Sequence, residues 1–250
     1  MCFELDSSPP IPALRGAAVS HDELVLEAGD GNRLAAFAAT PDRPNGAGVV
    51  VLPDVRGLYR FYEELALRFA ERGYSAVAID WFGRTAGAGK RGDEFPYMDH
   101  VARTTQEGIQ ADVGAAVAHL RPSCTAVFTV GFCFGGRHSW LAAGAHDLAG
   151  AIGFYGNPRD GQDGSPGPTS RAGELRAPIL ALMAGADRGI TPDAVAAFQA
   201  ALRAAGVDHE VVTYEGAPHS FFDRKQEEFA DASDDAWHRV LAFLEQHRPT

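Results

Sequence analysis

Short apolar runs bounded by turn-forming residues recur along the chain, and longer stretches with apolar positions every three or four residues lie between them. Gly48-Val-Val-Val-Leu52 is the clearest short run. A segment of that length with no polar position suits a strand covered on both faces. The same reasoning predicts strands over Ser75–Ile79, Ala126–Val130, Gly150–Tyr155, Ile179–Met183 and Glu210–Tyr214. Helical spacing predicts helices over Tyr62–Arg72, Ile109–Leu120, Gly135–Ala145, Pro192–Ala205 and Ala232–Gln246. In the first of these Leu65, Ala66 and Phe69 share a face opposite Glu63, Arg68 and Glu71, and Gly73 ends it. Nearer the N-terminus, Glu23–Glu27 and Arg33–Ala38 flank Gly29-Asp-Gly-Asn32, the pattern of a β-hairpin.

Strands alternating with helices of ten or more residues imply βαβ units. The expected fold class is therefore α/β: a mostly parallel central sheet with an antiparallel N-terminal hairpin and helices on both faces. Residues 1–21 are Pro-rich and aperiodic, and are expected to form an arm on the surface; residues 22–250 read as one domain. Two connections are unusually long, residues 83–100 and 157–176. The first follows the C-terminal end of a strand, where open α/β sheets bind ligands, and is a candidate for function. The second reads as an inert surface insertion.

Composition narrows the function classes. A chain of 250 residues with 46% hydrophobic positions can build a core that needs no disulfide or metal staple. Its formal charge of −11, with no basic stripe, argues against nucleic acid and anionic lipid as partners. The cysteines, Cys2, Cys124 and Cys133, form no framework, and no Cys-x-x-Cys pair or ligand-spaced histidine cluster occurs. No metal and no cofactor is expected. The N-terminus lacks the basic flank and apolar stretch of a signal peptide, and no window approaches the roughly 18 apolar residues of a membrane span. A cytoplasmic, reducing setting is the expectation, which keeps thiols free to react. Monomer and homodimer are equally compatible with the sequence.

The strongest chemical signal is Val130-Gly-Phe-Cys133-Phe-Gly135-Gly136, between a predicted strand and a predicted helix. It has the small-x-nucleophile-x-small form of a nucleophile elbow, with Cys in place of Ser. Glycine is needed on either side because a sharp strand-to-helix turn leaves no room for side chains there. The following helix N-terminus favours an anion and is expected to lower the thiol pKa. The plainer reading is a buried structural cysteine in a Gly-rich turn. Against it stands the order of the residues downstream. Hydrolases with such an elbow carry an acid after a later strand and a histidine in the last loop. Asp187 follows Ile179-Leu-Ala-Leu-Met183-Ala-Gly-Ala, and His219 lies in Tyr214-Glu-Gly-Ala-Pro-His-Ser. His219 is expected to take the thiol proton and later protonate the leaving alkoxide, with Asp187 fixing the imidazole tautomer. The backbone N–H groups of Phe134 and Val55 are the expected oxyanion donors.

With Gly131-Phe-Cys133-Phe-Gly135-Gly136, Gly-Ala-Asp187 and Ala-Pro-His219-Ser-Phe, the chain resembles the dienelactone hydrolase (carboxymethylenebutenolidase-like) family of the α/β-hydrolase superfamily over almost its whole length. The resemblance implies that Cys133, Asp187 and His219 form a triad. It also implies that a small-molecule ester or lactone is opened through a thioester. Family members carry a carboxylate, usually Glu, just after the third strand; Asp54 occupies that place and is one methylene shorter. The competing reading of Asp54 is a cap of the helix after Gly57. The family's two substrate-carboxylate arginines fall at Arg84 and four residues after the histidine, where this chain has Asp223, with Arg224 next along. Trp81, Phe82, Tyr97 and Phe221 are candidates for an apolar substrate wall or for plain core. The rival functions are a broad esterase, thioesterase or phosphotriesterase-like hydrolase of the same fold, and a non-catalytic ligand-binding protein.

Overall fold

In a computed structural model of the chain, residues 3–4, 6–92 and 94–249 are described. Eight strands form one sheet in the order β1-β2-β4-β3-β5-β6-β7-β8. They are β1 (Val19–Glu27), β2 (Arg33–Pro41), β3 (Ala47–Leu52), β4 (Ser75–Ile79), β5 (Ala126–Phe132), β6 (Gly150–Phe154), β7 (Ile179–Ala184) and β8 (His209–Tyr214). The β1–β2 hairpin joins β4 antiparallel, and every pairing from β4 to β8 is parallel.

The all-apolar character of β3 has a direct cause. Val49 and Val51 face one core layer with α1 (Arg60–Ala70) and α7 (Ala230–His247). Val50 and Leu52 face the other with α4 (Gln106–Leu120), α5 (Phe134–Ala145) and α6 (Pro192–Ala204). Each layer removes large aliphatic and aromatic side chains from water, the main driving force for assembly. Helices α4 and α6 start at Thr105 and Thr191, whose side chains accept the N–H of Gly108 and Ala194.

The expected elements stand where the spacing put them, with shifts at their ends. Strand β1 begins at Val19, because the ladder with β2 runs from Val19 opposite Pro41 to Glu27 opposite Arg33. Its outer positions Ser20, His21 and Asp22 are polar and exposed, so no apolar signal marked them. The connection after β4 carries two short helices, α2 (Gly83–Ala86) and α3 (Tyr97–Val101).

The N-terminal segment departs from expectation. Phe3 and Ile11 are buried in the α1/α7 layer rather than resting on the surface, and Phe3 stacks on Phe61 with ring centroids 4.0 Å apart. A segment anchored by single side chains has no period to read. Cys124 is buried and unbridged; Cys2 lies outside the described residues. Among the described residues no helix is long and apolar enough to cross a membrane, and no cluster of His, Cys, Asp or Glu could hold a metal ion.

Candidate active site

Strand β5 runs directly into α5 through Cys133, whose backbone sits at φ 54, ψ −110. For a residue with a Cβ this is a costly conformation, of the kind held only where the surroundings over-determine it. The surroundings do so here. The Cys133 N–H donates to the Phe154 carbonyl at 3.0 Å, tying the bend to the end of β6. A Cβ on Gly131 would fall on the Gly135 carbonyl, and one on Gly135 would fall on the carbonyls of Leu52 and Pro53. The side chain of Cys133 is left half-buried at the bend.

The loops after β7 and β8 are stitched together by backbone bonds from Gly185 to Tyr214 and from Ala186 to Ala217, both 2.9 Å. They carry Asp187 and His219. The His219 ring donates through Nδ1 to Asp187 Oδ2 at 2.6 Å, while Asp187 Oδ1 accepts the N–H groups of Gly189 at 2.7 Å and Ile190 at 3.2 Å. Burial pushes the Asp187 carboxyl up, but the His219 hydrogen bond and charge, with the two backbone donors, more than offset it and hold it below its ordinary value. The bond fixes which ring nitrogen faces Asp187, with Nε2 on the opposite side of the ring. Tyr155, at the end of β6, lies with its ring centroid 4.8 Å from that of His219.

Cys133, Asp187 and His219 line one cavity of about 1170 Å³, together with Val55 and Phe134. The backbone N–H groups of Val55 and Phe134 have no protein acceptor among the described residues. Phe134 is the first residue of α5, so its N–H has no partner within the helix. The loop bearing Val55 is held from below by Asp80, which accepts the N–H groups of Leu58 and Phe82 and pairs with Arg91 at 2.7 Å.

The other expected substrate residues are not brought to this cavity. Arg84 is absent from the cavity lining, and Asp30 and buried Asp112 take its guanidinium at 2.5 and 2.8 Å. Arg224 donates to the carbonyls of Pro9 and Ile11. Asp54 is buried, its carboxylate occupied by Arg56 at 2.9 Å and the Tyr59 hydroxyl at 3.0 Å. Nor does Asp54 cap α1, whose N-cap residue is Tyr59. Asp54 organises the loop instead: its N–H donates to the Tyr62 hydroxyl, and its carbonyl accepts the Trp81 indole N–H. Trp81, Phe82 and Phe221 are fully buried core, and Tyr97 packs against the α4/α5 layer.

Residues that the sequence did not single out complete the walls. Asn157, Asp160 and Gln162 come from the connection expected to be inert. Met98 comes from α3, and Arg137 from one turn beyond the elbow. A local signal existed only for Arg137, four residues after Cys133 and so on the same helical face.

A sheet of this order, with a strained cysteine after β5 and an aspartate–histidine couple after β7 and β8, defines a protein of the α/β-hydrolase fold. Residues 34–248 match the model of the dienelactone hydrolase family. The chain belongs to that family, and with it to the carboxylic ester hydrolases. A provisionally named carboxymethylenebutenolidase of Escherichia coli (strain K12) is 30% identical over 228 residues, 87% of this chain and 84% of that protein. A carboxymethylenebutenolidase of Rhodococcus opacus is 27% identical, covering 99% of this chain and 97% of its own length. The crystal structure of a provisionally named dienelactone hydrolase from Klebsiella pneumoniae superposes with a TM-score of 0.78 at 28% identity, covering 92% of this chain and 99% of the other.

Proposed function

We propose that the chain hydrolyses a small ester or lactone through a Cys133–His219–Asp187 triad and a thioester intermediate. The observation that carries this reading is the Asp187–His219 couple, bonded at 2.6 Å, in the cavity into which the elbow presents Cys133. In the acylation step the Cys133 proton passes to His219 Nε2 as the sulfur attacks the substrate carbonyl. The oxyanion is met by the N–H groups of Val55 and Phe134, donors already in place before charge develops. Collapse of the tetrahedral adduct breaks the ester C–O bond, and the imidazolium returns its proton to the leaving alkoxide. Water, deprotonated by His219, then cleaves the thioester to a carboxylic acid and the free thiol. In a lactone the leaving alkoxide stays attached, so the product is one hydroxy acid.

The walls bear on substrate class. Phe3, Met98, Phe134, Tyr155, Ile190 and Pro218 supply apolar surface suited to a small organic acyl group. Arg188, next to Asp187, is a lining cation with no protein partner among the described residues, whereas Arg137 and Lys225 are spent on protein groups. An anionic substituent on the substrate would meet Arg188 rather than Arg84.

Mass spectrometry under turnover tests the intermediate. Wild-type protein mixed with p-nitrophenyl acetate is expected to gain an acetyl group on the Cys133 peptide, and Cys133→Ala to lose both adduct and turnover while keeping its fold. Near-normal turnover by Cys133→Ala would falsify the assignment.

A further inference from the structure

Phe3 and Glu4 line the same cavity as Cys133 and His219, yet they precede residues 34–248, the part of the chain that matches the family. They are held there by residues just beyond the histidine. Lys225 Nζ pairs with Glu4 and, at 2.6 Å, with Asp6. The Arg224 N–H donates to the Ser8 carbonyl at 3.0 Å, and its guanidinium reaches the carbonyls of Pro9 and Ile11 at 3.1 and 3.4 Å. Phe3 itself is buried, stacked on Phe61 and edge-on to Tyr155 at 6.4 Å, and Tyr155 in turn faces the His219 ring. Resting on the proposed hydrolase function, we infer that Phe3 and Glu4 are a built-in wall of the substrate cavity, which limits the bulk of the acyl group accepted, and that this wall is strapped to the His219 loop by the contacts of Glu4, Asp6, Ser8, Pro9 and Ile11 with Arg224 and Lys225.

The two ends of the strap differ in strength. Ile11 is buried and the Arg224 bonds go to backbone carbonyls, so that end is fixed. At the cavity end the Glu4 and Asp6 side chains are 74% and 76% exposed and their partner Lys225 is 39% exposed. Exposed pairs of this kind are individually weak and screened by salt. At the cavity end the Phe3 ring is therefore seated mainly by its packing on Phe61, and the Glu4 and Asp6 pairs add a smaller contribution that salt weakens.

Two ratios read the wall in the full-length protein. One is kcat/KM for p-nitrophenyl benzoate over p-nitrophenyl acetate. The other is the rate of Cys133 alkylation by N-phenylmaleimide over iodoacetamide, followed on the Cys133 peptide by mass spectrometry. Phe3→Ala should raise both ratios by about tenfold, the effect of a buried aromatic ring withdrawn from a pocket wall. Lys225→Ala should raise both by about threefold, and 0.5 M NaCl should bring the wild type towards that value. Lys225→Ala removes only a part-exposed side chain, so it decides the matter if Phe3→Ala folds poorly. Unchanged ratios in folded Lys225→Ala, on both readouts, overturn the inference. Absence of ester turnover together with shifted alkylation ratios would instead count against the hydrolase reading and leave the wall standing.

Discussion

At Cys133 the fold holds a non-glycine residue at φ 54, a strain of roughly 1–3 kcal/mol that only close backbone packing can maintain. That packing depends on the missing side chains of its neighbours. Gly135→Ala would drive a methyl group into the carbonyls of Leu52 and Pro53, which are backbone atoms and cannot swing away. It should cost about 3 kcal/mol or more, since backbone must shift to admit the atom, and the loss should appear as a lowered urea midpoint. An unchanged midpoint would mean that α5 can slide along β5. At Asp187 the expected effect is on chemistry rather than stability. Asp187→Asn presents an amide N–H or carbonyl to Nδ1 and no longer secures the tautomer, so kcat should fall by about three to four orders of magnitude with the fold intact. Stopped-flow turnover on an activated ester measures it; a loss below tenfold would show that His219 is oriented by its other neighbours. Cys133, Asp187 and His219, the proposed triad, could be singled out in the sequence because each stands in a short turn at the end of a predicted strand. The arginines were not. Arg84 is claimed by Asp30 and Asp112, 54 and 28 residues away, and a pairing over that distance leaves no local pattern.

At the scale of elements, the interior strands were readable because each fills two core layers at once, while the boundaries that shifted are those where backbone pairing outruns side-chain burial, as at Val19–Asp22 in β1. Helix α5 hides a further property. His138 is buried beneath the elbow, beside Trp81 and Phe134, and burial, reinforced by the charge of Arg137, pushes its pKa down to about 3. In the unfolded chain the same ring titrates at about 6.5. Between those values the unfolded state binds a proton that the native state refuses, so native stability is full above about pH 7 and lost as pH falls. The slope is about 1.4 kcal/mol per pH unit from this one group, through the window from about 6 to 3. Denaturant titrations at pH 7.5, 5.5 and 4.5 should show that decline in the wild type and a shallower one in His138→Phe, which keeps an aromatic ring in the site. Parallel declines in the two proteins would show that His138 takes no part.

Across the whole molecule, the sheet was legible and the cavity was not. Its walls come from Phe3, Met98, Asn157 and Ile190, which meet only after the connections have folded over the C-terminal ends of the strands. The same assembly decides which charges remain for a substrate. Lys225 is taken by Glu4 and Asp6, and Arg137 by the carbonyls of Asn157 and Arg159. The acids are also engaged: Asp160 accepts from Gly167 and Ser170, and Asp223 accepts the Lys225 N–H. Arg188 alone among these charged lining groups has no protein partner among the described residues. Arg188→Gln should therefore lower kcat/KM for a carboxylated ester about tenfold relative to its matched neutral ester, the value of one charge-assisted contact discounted for solvent screening. Arg84→Gln should shift both substrates equally. Its cost falls instead on stability, because buried Asp112 would lose the cation that now offsets its burial. Matched lactone pairs differing only in a carboxylate make the comparison: discrimination lost in Arg84→Gln and kept in Arg188→Gln would place the anion-binding end of the cavity on the β4 side, against the arrangement of charges described.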